Sequence, residues 1–376
     1  MASDTAFWNF LSNGFLFLTW KNLVMIAIGL VLMVLAIVRE YEPVLLLPIG
    51  FGCVLANLGM AASADGDGFL SVLYRAGIQS ELFPLLIFIG VGGMIDFSPL
   101  LSQPHLALLG AAGQFGIFGI LLLATAMGFD LNEAASIGVI GAIDGPTAIY
   151  VAGRLAPHML APIAVAAYSY MSLIPIIQPP IMKLLTTRKE RLIRMQYSPI
   201  PISKTALIIF PIAVTIAISI LAPSAAPLIA ALMLGNLLKE SGVVERLNQS
   251  AQNEIINIST LFLGLTIGAT MTAESFLNLD TLFILALGLL AFVLDTVMGL
   301  LFGKLMALIT GGRINPLIGA CGISAFPMAG RLSAKMAQDE DFENFILMHA
   351  MGANTAGQLG SVIAGGLLLT LMITLN

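Results

Sequence analysis

Charge is what this sequence has least of. Of its 376 residues only 10% are Asp, Glu, Lys or Arg, whereas soluble domains carry about 25%. Sixteen Lys and Arg stand against 21 acids, a net charge of −5, so no basic face for nucleic acid can be assembled. The two cysteines, Cys53 and Cys321, both lie in apolar stretches, which excludes a disulfide framework and a zinc cluster. There is no Walker loop, and no strand–GxGxxG–helix context for a dinucleotide. What remains is hydrophobicity: 58% of the residues are apolar and mean hydropathy is +0.98. The composition is that of an integral membrane protein.

A membrane-crossing helix needs about 20 mostly apolar residues. Charge-free runs of that order recur at 22–38, 43–64, 106–129, 155–182, 205–238, 255–273 and 344–376, with Pro223 and Pro227 marking a turn inside the fifth. Shorter or interrupted runs lie at 82–95, 135–153 (broken at Asp144) and 314–330, and the run 281–303 contains Asp295. The expectation is an all-α polytopic membrane protein of about eleven membrane elements, helical because lipid cannot satisfy backbone polar groups. Residues 1–21 do not read as a cleaved signal, since Asp4 replaces a basic start and Lys21 comes late.

Residues 183–204 concentrate Lys183, Arg188, Lys189, Arg191, Arg194 and Lys204 against one acid, Glu190. Positive-inside bias places this connection in the cytoplasm, and a surface helix on anionic lipid is a compatible reading. The connection divides the chain into 1–182, a first membrane repeat with an N-terminal helix, and 205–376, a second repeat. The acidic DEDFE at 339–343 reads as a solvated loop.

The halves echo each other. GPTAIYVAGRLA at 145–156 and GISAFPMAGRLS at 322–333 share Gly145/Gly322, Ala148/Ala325, Gly153/Gly330, Arg154/Arg331 and Leu155/Leu332 at constant offset, with Thr147 opposite Ser324. Weaker echoes join FIG at 88–90 to FLG at 262–264, and Gly52 and Gly59 to Gly235 and Gly242. Hydrophobic segments interrupted by Gly and Pro in corresponding positions point to a transporter whose broken helices meet near the midplane. The site is therefore expected at 141–147 and 315–327.

Asp144, in GAIDGPT, is a costly carboxylate that marks an ion path, a proton relay or a charge paired with Arg154 or Arg331. Gly145-Pro146 after it interrupts the helix and frees carbonyls as hard oxygen ligands, a set suited to a monovalent cation. Asn315 either ligates or caps a helix from Pro316. Ser324 either ligates or bonds back within its helix. Arg331 offers a fork for a carboxylate, whereas Arg154 reads as snorkelling to the interface. Tyr168, Tyr170, Gln178, Asn354 and Gln358 are ion ligands or interhelical hydrogen bonds. His349 reads as a satisfied interior histidine.

At GVGGMIDFSPLL (90–101), GAIDGPTAIYVA (141–152), AYSYMSLIPIIQPPIMK (167–183), NPLIGACGISAFPMAGRLS (315–333) and HAMGANTAGQLGSVIAGG (349–366) the chain resembles the membrane β subunit of the biotin-dependent, sodium-pumping decarboxylases of oxaloacetate, glutaconyl-CoA, methylmalonyl-CoA and malonate. The resemblance implies decarboxylation of carboxybiotin, uptake of a proton and export of Na+. It implies inverted repeats, an elevator-like core, a homotrimer, and a prokaryotic cytoplasmic (inner) membrane. It implies three partners, namely a carboxyltransferase α subunit, a biotin-carrier subunit and a small membrane γ or δ subunit. Biotin would sit on the carrier, because Lys335-Met336 after Ala334 lacks a carrier's methionine-flanked lysine. By the same resemblance Asp144, Tyr170, Asn315, Ser324 and Asn354 are sodium-site residues. Arg331, Gly319 and Asn315 meet carboxybiotin, and Tyr170 and Arg331 take part in catalysis. A sodium/carboxylate symporter on a similar fold is the alternative that the residues alone leave open.

Overall fold

The computed structural model describes residues 18–58, 68–196 and 201–375. The expectations for residues 1–17, for the end of the 43–64 run and for 197–200 of the basic connection lie outside the described residues. Among those described, every regular element is helical. The first half holds α1 (Trp20–Val38), α2 (Pro43–Asn57), α3 (Phe69–Gln79), α4 (Leu82–Met94), α5 (Pro104–Ala126), α6 (Leu131–Gly138), α7 (Gly145–Leu155) and α8 (Leu160–Leu185). The second holds α9 (Lys204–Leu221), α10 (Ala226–Ser241), α11 (Ile256–Thr270), α12 (Leu279–Ile309), α13 (Met328–Glu340) and α14 (Leu347–Leu375).

Six of these, α1, α5, α8, α9, α12 and α14, are long and apolar enough to cross a membrane, and α3 with α4 would add a seventh across a 58° bend. The chain is thus a multi-pass membrane protein with fewer continuous spans than the number of elements expected. The difference lies in length. At 1.5 Å per residue, the 15 residues of α2 reach only about 22 Å, and the segments at Asp144 and Pro316 are broken. The turn expected inside 205–238 is present, as a 3-10 turn at Pro223–Ala225 between α9 and α10.

Small residues set the crossings. α2 packs on α11 and α10 packs on α4. A Cβ at Gly52 or Gly268 would run into the facing backbone at the first crossing, as would one at Gly92 or Gly235 at the second. This is the close approach that glycine permits between membrane helices, and it gives the Gly52/Gly235 echo a packing meaning. α12 runs for 31 residues without interruption. α8, packed against it, carries Pro175, Pro179 and Pro180 inside the helix.

Both broken segments pair a 3-10 turn with a helix: Val139–Ala142 precedes α7, and Pro316–Gly322 precedes α13. α7 ends beside the start of α8, whereas α13 ends at Glu340, which pairs with Arg191 just past the end of α8. Since 26 residues of helix span about 39 Å, the two segments approach each other from opposite ends of α8. The acidic 339–343 stretch faces solvent, as expected, and is ion-paired as well. Glu340 pairs with Arg188 and Arg191, Asp341 and Glu343 pair with Arg194, and Lys304 meets Glu190. Much of the connection's positive charge is therefore answered by protein acids.

Candidate functional site

The chain reverses sharply just before α7. Ile143 has φ +53°, a left-handed conformation that costs a β-branched residue about 1–3 kcal/mol. The kink turns Asp144 into the N-cap position of α7, where its carboxylate meets orphan amides and the positive end of a helix dipole.

Its two oxygens are used unequally. Oδ2 accepts from the hydroxyls of Thr147 and Ser361, each at 2.7 Å, and from the Gln358 amide at 3.0 Å. Oδ1 has only a 3.4 Å contact with the Thr147 amide. Neither Arg154 nor Arg331 is among its partners, so the charge-pair alternative is not what the fold builds. Burying a carboxylate with hydrogen bonds but without a counter-charge leaves most of its Coulomb cost standing. Oδ1 is then a ready ligand for a small cation.

Asp144 lines a cavity of about 330 Å³ together with Tyr168, Ser324, Gln358 and Glu42. The halves touch here, because both the Ser324 hydroxyl (2.7 Å) and its amide (3.2 Å) donate to the Ala142 carbonyl. Ser324 thus bonds across the halves, not back within its own segment. A second cavity of about 210 Å³ shares Glu42, Met171, Ala325 and Phe326 with the first and is lined by Arg331. Asn354 clamps the second break: its amide donates to the Cys321 and Ile323 carbonyls and its oxygen accepts from Gly330.

Like Asn354, three further expected site residues line neither cavity. The Asn315 amide donates to the carbonyls of Arg191 and Ile193, and its oxygen caps the 3-10 turn at Leu317. Gly319 is pressed against Gly299 of α12. The Tyr170 hydroxyl donates to the Leu285 carbonyl at 2.5 Å, and its ring borders Gly288. It is Tyr168 that faces Asp144, with its ring so close over Gly145 that a Cβ there would overlap it. Arg154 does not snorkel freely, since it makes a two-pronged pair with Glu81. His349 is buried, as expected.

Sequence reasoning left Gln358 open between packing and ligation and gave Ser361 no role. Their spacing of three was the available signal, because i and i+3 share one helix face. Glu42 was not singled out at all. Asp295, also buried, lines neither cavity. One of its oxygens accepts from the Gly116 amide and the other has no partner among the described residues. No group of three or more His, Cys, Asp or Glu able to hold a metal occurs among the described residues.

Residues 21–372 match the family described as the Na+-transporting oxaloacetate decarboxylase beta subunit. The chain belongs to this family. The β subunit of methylmalonyl-CoA decarboxylase from Veillonella parvula is 52% identical over 360 residues, 96% of this chain and 95% of that protein. That of glutaconyl-CoA decarboxylase from Acidaminococcus fermentans is 51% identical, covering 96% of each. The oxaloacetate decarboxylase beta chain of Klebsiella pneumoniae is 45% identical over 94% of this chain and 95% of its own length. In this beta subunit the match runs through both broken segments and the helices around them.

Proposed function

We infer that this chain is the membrane subunit of a sodium-pumping, biotin-dependent decarboxylase. It cleaves carboxybiotin presented by a partner subunit, consumes a proton and exports Na+. The observation that carries the reading is the pair of adjoining cavities, which bring a cation-seeking carboxylate and an arginine without an ion pair among the described residues together in a chain of this family.

The assignment of roles follows from the geometry. Na+ binds at Asp144 Oδ1, with Ser324 and Tyr168 on the same cavity wall, and Asn354 holds the second break in shape. Arg331 receives the carboxylate of carboxybiotin in the neighbouring space. Asn315, Gly319 and Tyr170 support the site from outside, anchoring the connection, packing α12 and tying α8 to α12.

Moving one charge against 100 mV costs about 2.3 kcal/mol, so cleavage must be confined to the sodium-loaded state if it is to drive export. A cation at Asp144 would join the segments that Ala142 and Ser324 already bridge, and so complete the pocket beside Arg331. The reciprocal crossings of α2 with α11 and of α4 with α10, and the approach of the broken segments from opposite ends of α8, support inverted repeats over 1–182 and 205–376 and an elevator-like movement. The weakly buried α1 and α9 suit a homotrimer and a small γ or δ membrane subunit as neighbours. The biotin carrier and the carboxyltransferase α subunit would dock on the face of the basic connection, in the cytoplasm of a prokaryotic cell. Biotin stays on the carrier.

A sodium/carboxylate symporter would use the same acid and arginine, but the family match over nearly the whole chain favours the decarboxylase. The deciding experiment titrates sodium against CO2 release from a carboxylated carrier by the purified complex, with and without Asp144→Asn. Sodium-stimulated release that the substitution removes supports the pump. Absence of release at every sodium concentration, with all partners present, refutes it.

A further inference from the structure

We propose that Glu42 delivers the proton consumed when carboxybiotin is cleaved. The proposal rests on the assignment of Arg331 as the carboxylate anchor. Four residues line both cavities, and of these Glu42 alone can carry a proton. The ionisable groups facing it are Asp144 ahead of α7, Tyr168 on α8 and Arg331 on α13, and no Lys, His or further acid lines either space.

Glu42 is held there by its backbone. It precedes Pro43 at the start of α2 with φ +37° and ψ +57°, a left-handed conformation that is rare for Glu and concentrates at functional sites. No ion pair with Glu42 forms among the described residues, and burial raises its carboxyl above the usual carboxylate range. Burial favours the protonated form of an acid so placed.

The step balances in atoms and charge. The bond between the ureido nitrogen and the carboxylate carbon breaks, CO2 leaves neutral, and the electron pair remains on the ureido group. That group takes the proton from Glu42, which is left as a carboxylate. Before cleavage Arg331 faces the substrate carboxylate; afterwards it faces Glu42. One anion replaces another, the cavity's net charge is unchanged, and no uncompensated charge is stranded in a low-dielectric space. Water at the cavity mouth then reprotonates Glu42. Asp144 is left free to hold Na+ throughout.

The test uses the purified complex with its carrier charged with carboxybiotin. In Glu42→Gln, single-turnover CO2 release should fall at least about 100-fold, the low end for general-acid catalysis. Binding of radioactive sodium and the apparent KM for charged carrier should stay unchanged. Because the protonated form acts, the wild-type rate declines as pH rises through the Glu42 pKa, and that decline should vanish in the variant. Glu42→Gly, which accepts the left-handed backbone, should be slow and partly restored by added formic acid. A Glu42→Gln rate within about threefold of wild type overturns the proposal. Failure of formic acid to restore Glu42→Gly, or loss of sodium binding in both variants, overturns it equally. Arg331→Met tests the underlying assignment separately: an unchanged KM for charged carrier would refute the anchor while leaving the rate effect at Glu42 intact.

Discussion

Arg154 and Arg331 occupy the same place in the AGRL blocks of the two halves, and the fold treats them oppositely. Arg154 is held by Glu81, with Nη2 2.8 Å from Oε2, and its guanidinium lies 5.1 Å from the centre of the Tyr150 ring. Arg331 has no ion pair among the described residues and lines a cavity. The acids divide the other way. Asp144 leads the first block, and at the matching position of the second stands Cys321, buried and bonded to Ser333 at 3.1 Å. One half keeps its acid available and ties down its cation, while the other has no acid there and leaves its cation free. A repeated scaffold can thus hold a carboxylate and a guanidinium in adjoining cavities without pairing them.

The largest effect should come from Asp144→Asn, which removes the charge that the second half cannot supply. Sodium-stimulated CO2 release should drop at least about 100-fold, read by sodium titration of the intact complex. The two arginines come next, and they should part company. Arg331→Met should raise the KM for charged carrier about tenfold, or ~1.4 kcal/mol, whereas Arg154→Met should leave it unchanged. Equal effects on KM would erase the distinction between the halves.

Ser361→Ala removes one of three short bonds to Oδ2. At ~1 kcal/mol for such a bond, half-saturating sodium should rise about fivefold in the same titration. Arg154→Met should instead act on stability. Its pair with Glu81 is 39% exposed on the arginine side, so the loss should stay within ~1 kcal/mol and the Tm should fall by about 2 °C. The smallest effect concerns the connection. Hydrogen bonds from Arg191 and Arg194 hold the Glu340 and Asp341 carboxyls below their usual 4.5 and 3.8. Depressed folded values mean that this contribution is full above those usual values and fades as pH falls through the lower folded ones. Hydrogen-exchange protection of residues 188–194 should therefore hold steady from pH 7 to about 5 and decline only in more acidic solution.

Much of the site was legible before any fold was known. A carboxylate before Gly-Pro in an apolar run announces a broken helix, and Asn-Pro announces the second break. The separation of Arg154 from Arg331 was not legible, because it depends on Glu81, 73 residues upstream in the chain. Tyr168 and Tyr170 are two residues apart, which on a helix means about 200° of rotation, and apolar surroundings on all sides gave no sign of which faced inward. Gln358 and Ser361 sit among Gly and Ala, where polar residues equally mark helix packing. The ion pairs of the acidic stretch at 339–343 were not legible, because its arginine partners lie 149 and 147 residues away in sequence.

The prolines of α8 have a mechanical consequence. Pro175, Pro179 and Pro180 contribute no N–H, so three rungs of the helical ladder are missing within six residues. α12 beside it keeps its ladder for 31 residues. The pair is a compliant spring lashed to a rigid strut. The spring's other flank, with Tyr168 and Met171, walls the cavities. Bending of α8 under strain from the connection beyond Leu185 would therefore move the wall that faces Asp144.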